Sequence, residues 1–136
     1  MKKSKYIIIS HGSFASGLKE AIEMILGPQE NVKAFCLLKD MAPETFGELI
    51  KKEIDKNIEE NSDTMIFVDL LGGTPFNSIV PLLKKYKDIS FITGVNLGMC
   101  LEIISNGTYD SMKELEIDAK GIGIKSIVTK SDLFKA

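Results

Sequence analysis

The sequence predicts a single α/β domain: an open, mostly parallel, doubly wound sheet with helices on both faces. Three observations carry this. Short apolar, β-branched runs such as Tyr6-Ile7-Ile8-Ile9 and Met65-Ile66-Phe67-Val68 read as strands buried on both faces. Segments of helical period alternate with them, which is the pattern of a parallel sheet covered by crossover helices. Gly, Pro and Asn punctuate the joins, and no repeat, low-complexity tract or long linker interrupts the chain, so residues 1–136 read as one domain.

In chain order, Tyr6–Ser10 is the first strand. Leu18, Ala21, Ile22 and Ile25 then form one stripe of a helix over Phe14–Leu26, ended by Gly27-Pro28. Val32–Leu38 is a second strand. Pro43 lies at a helix start, with Phe46, Leu49, Ile50 and Ile54 inward and Lys and Glu outward. Thr64–Leu70 is a third strand, broken by Gly72-Gly73-Thr74-Pro75, where Thr74 suits an N-cap and Pro75 a first helical turn. Phe76, Ile79, Val80 and Leu83 supply that helix's inner stripe. Ile89–Thr93 is a fourth strand, followed by the Gly94-Val95-Asn96 loop and a helix over Leu97–Ile104. A further helix, Asp110–Lys120, carries Met112, Leu115 and Ala119. Gly121 and Gly123 then lead into a last strand, Ile124–Thr129.

Composition narrows the function. The apolar share is 44%, the charged share 26% and the formal net charge −2, with basic residues dispersed. This argues against nucleic acid or an anionic membrane as partner. Cys36 and Cys100 lack metal-ligand spacing and read as reduced, core-filling thiols of a cytoplasmic protein. The apolar run after Lys2, Lys3 and Lys5 is too short for a signal peptide, and nothing later is long enough to span a bilayer.

In doubly wound sheets ligands sit at the carboxyl ends of the strands. That edge gathers His11-Gly12-Ser13, Asp69 to Thr74, and Thr93 to Asn96. His11 is the only histidine in the chain. A neutral imidazole accepts a phosphoryl group through one nitrogen when a carboxylate holds the proton on the other. Asp69 is the candidate for that role, with His11 attacking through Nε2. Backbone N–H groups at the two helix starts, with Gly12, Ser13, Gly72, Gly73 and Thr74, are the expected phosphate holders. No metal or organic cofactor is expected.

Two other classes share the architecture. A receiver-like domain would be phosphorylated on Asp69, with Thr93 and Lys125 or Lys130 in support. It needs an acidic pair after the first strand to hold Mg²⁺, where this chain has Ser10-His11. A non-catalytic flavodoxin-type binding module is the other. A nucleotide-dependent kinase lacks its Walker-type loop here, and a hydrolase lacks a nucleophile elbow.

Three stretches carry a family resemblance: IIISHGSFASGLKEAIEMILG (Ile7 to Gly27), MIFVDLLGGTPFNSI (Met65 to Ile79) and GVNLGM (Gly94 to Met99). Together they resemble the mannose-family IIA domain of the bacterial phosphoenolpyruvate-dependent sugar phosphotransferase system, over essentially the whole chain. The resemblance implies that His11 receives a phosphoryl group from the carrier protein HPr. The group then passes to a IIB component and on to a sugar entering through the membrane components IIC and IID. It also implies that Asp69 hydrogen-bonds His11, and that two copies form a homodimer by exchanging the C-terminal strand, expected at Ile124–Thr129 and antiparallel to the partner's sheet. Leu71 stands where some members carry an aromatic residue, and Thr74 where others carry serine. No Ala/Pro-rich linker follows, so IIB is expected on another chain or outside this one. The phosphotransfer subunit of dihydroxyacetone kinase also has the N-terminal histidine, but the Asp69 to Asn77 run follows the sugar-transporter pattern. Partner docking is expected on an apolar patch of Phe14, Leu71 and Phe76.

Overall fold

A computed structural model describes residues 2–134. Four parallel strands form the sheet: β1 (Lys2–His11), β2 (Val32–Leu37), β3 (Asp63–Val68) and β4 (Ile89–Thr93), in the order β2-β1-β3-β4. The two apolar runs of the sequence are the two central strands. Ile7 pairs with Ile66 and Ile8 with Phe67, and none of these four side chains is exposed to solvent.

Alternation then sorts the core. Tyr6, Ile8, Met65 and Phe67 meet α1 (Phe14–Leu26), α4 (Leu97–Asn106) and α5 (Met112–Lys125) on one face. Ile7, Ile9, Ile66 and Val68 meet α2 (Pro43–Glu59) and α3 (Thr74–Lys85) on the other. The chain thus leaves β1 toward one face and the neighbouring β3 toward the opposite face. A crevice opens between their carboxyl ends, the usual place for a ligand in such sheets.

Expectation and structure agree on α1, on the start of α2, and on β4. Strand β3 stops at Val68 because Asp69 turns out of the ladder after its N–H bonds the Ile9 carbonyl at 3.2 Å. Strand β1 begins earlier than Tyr6, since its first residues pair with the two-residue β5 (Thr108–Tyr109), which the sequence did not signal. This β5, not the chain's last segment, is the antiparallel strand.

The expected strand Ile124–Thr129 is not formed. Helix α5 continues through Gly121 and Gly123 to Lys125, and a one-turn helix α6 (Lys130–Leu133) follows. Neither glycine breaks the helix, and Gly123 packs closely against α4. A Cβ on Gly123 would lie 2.6 Å from Met99 Cε on α4, so a side chain there would have to displace the Met99 terminal methyl. The Gly123 carbonyl accepts hydrogen bonds from Asn96 Nδ2 at 3.1 Å and Ser126 Oγ at 2.7 Å, which holds the helix end in place. Both cysteines are free thiols: Cys100 is buried, which pushes its thiol up to about 12, and Cys36 is half-buried.

Candidate active site

The site begins where β1 runs out. Ser10 is fully buried, and its Oγ accepts the Ala15 N–H at 2.7 Å, folding the chain back into α1. Gly12 makes the turn at φ +55°, a conformation that strains any residue with a Cβ. Its N–H donates to the Leu37 carbonyl at 2.8 Å. Gly12 therefore contributes a turn, and its N–H is already committed rather than offered to a phosphate.

This turn points the His11 side chain across the crevice to Asp69. Asp69 Oδ2 accepts the His11 main-chain N–H at 2.9 Å and sits 2.7 Å from His11 Nδ1. Asp69 Oδ1 accepts the Leu70 N–H at 2.8 Å. The carboxylate is 13% exposed and the imidazole 48% exposed, so the acid is covered while the ring faces solvent. With Nδ1 on the carboxylate, the Nε2 edge of the ring is the one left open to chemistry.

Burial alone would raise the pKa of Asp69. The His11 main-chain N–H, the His11 ring and the Leu70 N–H outweigh it and hold the carboxyl below the ordinary aspartate value. A depressed folded value means that Asp69 contributes stability above the unfolded aspartate range and loses it as pH falls through the folded value. A carbon-detected NMR titration should find the Asp69 carboxyl titrating below the free aspartate value. A midpoint at or above the free aspartate value would show that the three hydrogen bonds do not hold in solution.

The other wall of the crevice is the start of α3. Gly72 turns at φ +82°, and Asn77 Nδ2 pins its carbonyl at 3.2 Å. Gly73 is the N-cap, without a side-chain cap hydrogen bond, and Thr74 lies one position inside the helix rather than at the cap. The first-turn N–H groups of a helix lack intrahelical partners, and no side chain here substitutes for them. The His11 ring lies against Gly73. Ser13 is the N-cap of α1 and also makes no cap hydrogen bond. The structure thus brings His11, Asp69 and Gly73 together, with Gly72 and Thr74 flanking.

Two contributors escaped the sequence. Ser10 is a buried polar residue whose only signal was its place beside His11. Asn77 shapes the Gly72-Gly73 turn from a helix start five residues on. The apolar rim also differs from expectation. Phe76 is partly buried against Phe91, edge-to-face at 5.1 Å, and leaves the patch. Leu38 and Leu70 join Phe14 and Leu71 as exposed apolar side chains on this edge.

Among the described residues, no group of three His, Cys, Asp or Glu side chains is arranged to hold a metal ion. No helix among them is long and apolar enough to cross a membrane.

Comparison with known proteins gives a consistent answer. The family model described as "PTS system fructose IIA component" matches residues 5–119. The fructose-specific EIIA component of Bacillus subtilis is 30% identical over 126 residues, 93% of this chain and 86% of that protein. Among solved structures, phosphotransferase system component EIIA from Streptococcus agalactiae superposes with a TM-score of 0.85 at 29% identity, covering 94% of this chain and 98% of that one. The mannose/sorbose specific IIA subunit from Enterococcus faecalis gives 0.78 at 25% identity, covering 93% and 94%.

Proposed function

The chain belongs to the fructose/mannose IIA family of the sugar phosphotransferase system, and on that footing we propose that His11 is its phosphoryl-accepting nucleophile and Asp69 the group that orients it. IIA components are phosphotransferase proteins of sugar uptake and work with HPr and IIB. The observation that carries the assignment to His11 is the 2.7 Å contact between its Nδ1 and Asp69 Oδ2, with the Nε2 edge turned to the start of α3.

In this reading the proton stays on Nδ1, hydrogen-bonded to Asp69, and the Nε2 lone pair attacks phosphorus. The N–P bond forms as the bond from phosphorus to the HPr donor atom breaks, and its electron pair leaves with the donor. The ring gains positive charge, which the ionised Asp69 stabilises. The phosphoryl oxygens, over which charge spreads during transfer, turn to the N–H groups of Gly73 and Thr74 and the Thr74 hydroxyl. Ser13 and the Gly72 turn border the same space. The reverse of these bond changes delivers the group to a IIB acceptor, from which it passes to a sugar at the membrane components IIC and IID. A relay needs an exposed ring and an apolar landing surface, and Phe14, Leu38, Leu70 and Leu71 surround His11 with one.

The receiver-like alternative is disfavoured by the state of Asp69. Both of its oxygens already accept N–H donors, and its side chain is mostly covered. A carboxylate so engaged is a poor nucleophile.

A cytoplasmic homodimer completes the proposal. Strand β4 is an open sheet edge, and open edges are normally covered. Beside it lies a cleft of about 390 Å³ lined by Phe91, Ile92, Met99, Ile124 and Ile127. Ile127, Val128, Leu133 and Phe134 are exposed on the segment that follows α5. A second copy laying its residues 127–134 against β4 would cover both the open edge and these exposed apolar side chains.

The test is phosphorylation of the intact protein by phosphoenolpyruvate, enzyme I and HPr. The expected product is one acid-labile, alkali-stable phosphoryl group that maps to the His11 peptide. An alkali-labile acyl phosphate on Asp69 would replace this reading with the receiver-like one. Absence of any label would leave the binding module.

A further inference from the structure

We propose that Gly73 is a positioning residue: its missing side chain is what seats the His11 ring with Nε2 against the start of α3. The inference rests on His11 being the phosphoryl acceptor, and it assigns to one glycine a role distinct from those of its neighbours.

Three glycines surround His11, and geometry separates them. Gly12 (φ +55°) and Gly72 (φ +82°) occupy the left-handed region, and a Cβ on either would meet nothing within 4 Å. They are glycines for the sake of the backbone. Gly73 is the opposite case. Its φ of −79° and ψ of 174° are open to any residue. A Cβ there would lie 2.7 Å from His11 Cε1, 3.1 Å from Nε2 and 3.5 Å from Leu70 Cδ1. It is a glycine for the sake of the ring.

The imidazole is therefore held at two places on the ring. Asp69 fixes the Nδ1 edge at 2.7 Å, and the bare Cα of Gly73 receives the Cε1–Nε2 edge. A methyl at position 73 has no room unless the ring moves, and ring movement is taken from the Asp69 hydrogen bond. The tautomer-fixing contact and the direction of Nε2 are thus coupled through one absent Cβ. Displacing a reacting atom by about 1 Å can slow a reaction on the order of 10²-fold.

Gly73→Ala tests this without straining the backbone. Two readouts are taken: the imidazole ¹⁵N and Nδ1–H shifts of His11, and the initial rate of phosphoryl acceptance from phospho-HPr. The expected result is a folded variant with altered His11 shifts and acceptance slowed about 10²-fold. A folded variant with wild-type shifts or a wild-type rate overturns the inference. Should the variant fail to fold, the wild-type protein still decides: an NOE between His11 Hε1 and the Gly73 Hα protons supports the seating, and its absence refutes it. A wild-type protein that accepts no phosphoryl group sinks the carrier reading instead, while altered His11 shifts in the variant would still uphold the seating.

Discussion

His11→Ala accepts no phosphoryl group from phospho-HPr, and its stability stays within about 0.5 kcal/mol of the parent. Both halves follow from the same contacts. The ring is 48% exposed, so truncating it opens no buried cavity. Asp69 is not stranded, because the main-chain N–H groups of residue 11 and Leu70 still donate to its two oxygens. What disappears is the only imidazole in the chain. The check is phosphorylation of the variant beside a urea melt. Surviving acid-labile label would place the acceptor elsewhere. A loss of several kcal/mol would mean that the ring, rather than its main-chain N–H, anchors the crevice.

Phe67→Ala has the largest expected effect on stability, a loss of about 3–5 kcal/mol. Phe67 is fully buried in β3, and its ring stacks on Tyr6 with centroids 5.9 Å apart. It belongs to the core shared with α1, α4 and α5, so truncation leaves a cavity that the helices of that face cannot all close upon. Domains of this size are stable by roughly 5–15 kcal/mol in total, so the variant is left marginal. The urea midpoint should fall with an unchanged slope. Because the Asp69 N–H is tied to the Ile9 carbonyl rather than to the Phe67 ring, phosphoryl acceptance per folded molecule should hold near the wild-type rate. A loss under about 1 kcal/mol would show that the core relaxes into the space.

Much of the molecule was legible where local pattern and final environment agree. The runs Tyr6 to Ile9 and Met65 to Val68 are apolar at every position because both faces of the sheet are covered, and that is what a periodicity count detects. Helix α1 matches its expected bounds because its apolar spacing and Gly27 both act locally. The C-terminal region failed for the complementary reason. Gly121 and Gly123 read as helix breakers along the chain, yet α5 runs through both and Gly123 packs against Met99, on a helix that no window around residue 123 contains. The apolar residues after Gly123 have the local pattern of a strand, but α5 runs on through Ile124 and Lys125, and residues 127–129 pair with no strand. Phe76 illustrates the same limit: its partner is Phe91 on β4.

For the site, residue types and strand-end positions were enough to pair His11 with Asp69, since parallel strands with alternating crossovers bring their carboxyl ends to one edge. The rest came from contacts between segments far apart in sequence. They committed the Gly12 N–H to Leu37 and made Gly73 a glycine for the ring's sake, while Ser10 and Asn77 act through hydrogen bonds five residues along the chain. Periodicity and turn chemistry are properties of a short stretch and can be read from it. The seating of a ring depends on distances of a few tenths of an ångström between distant segments, and those distances exist only once the chain has packed.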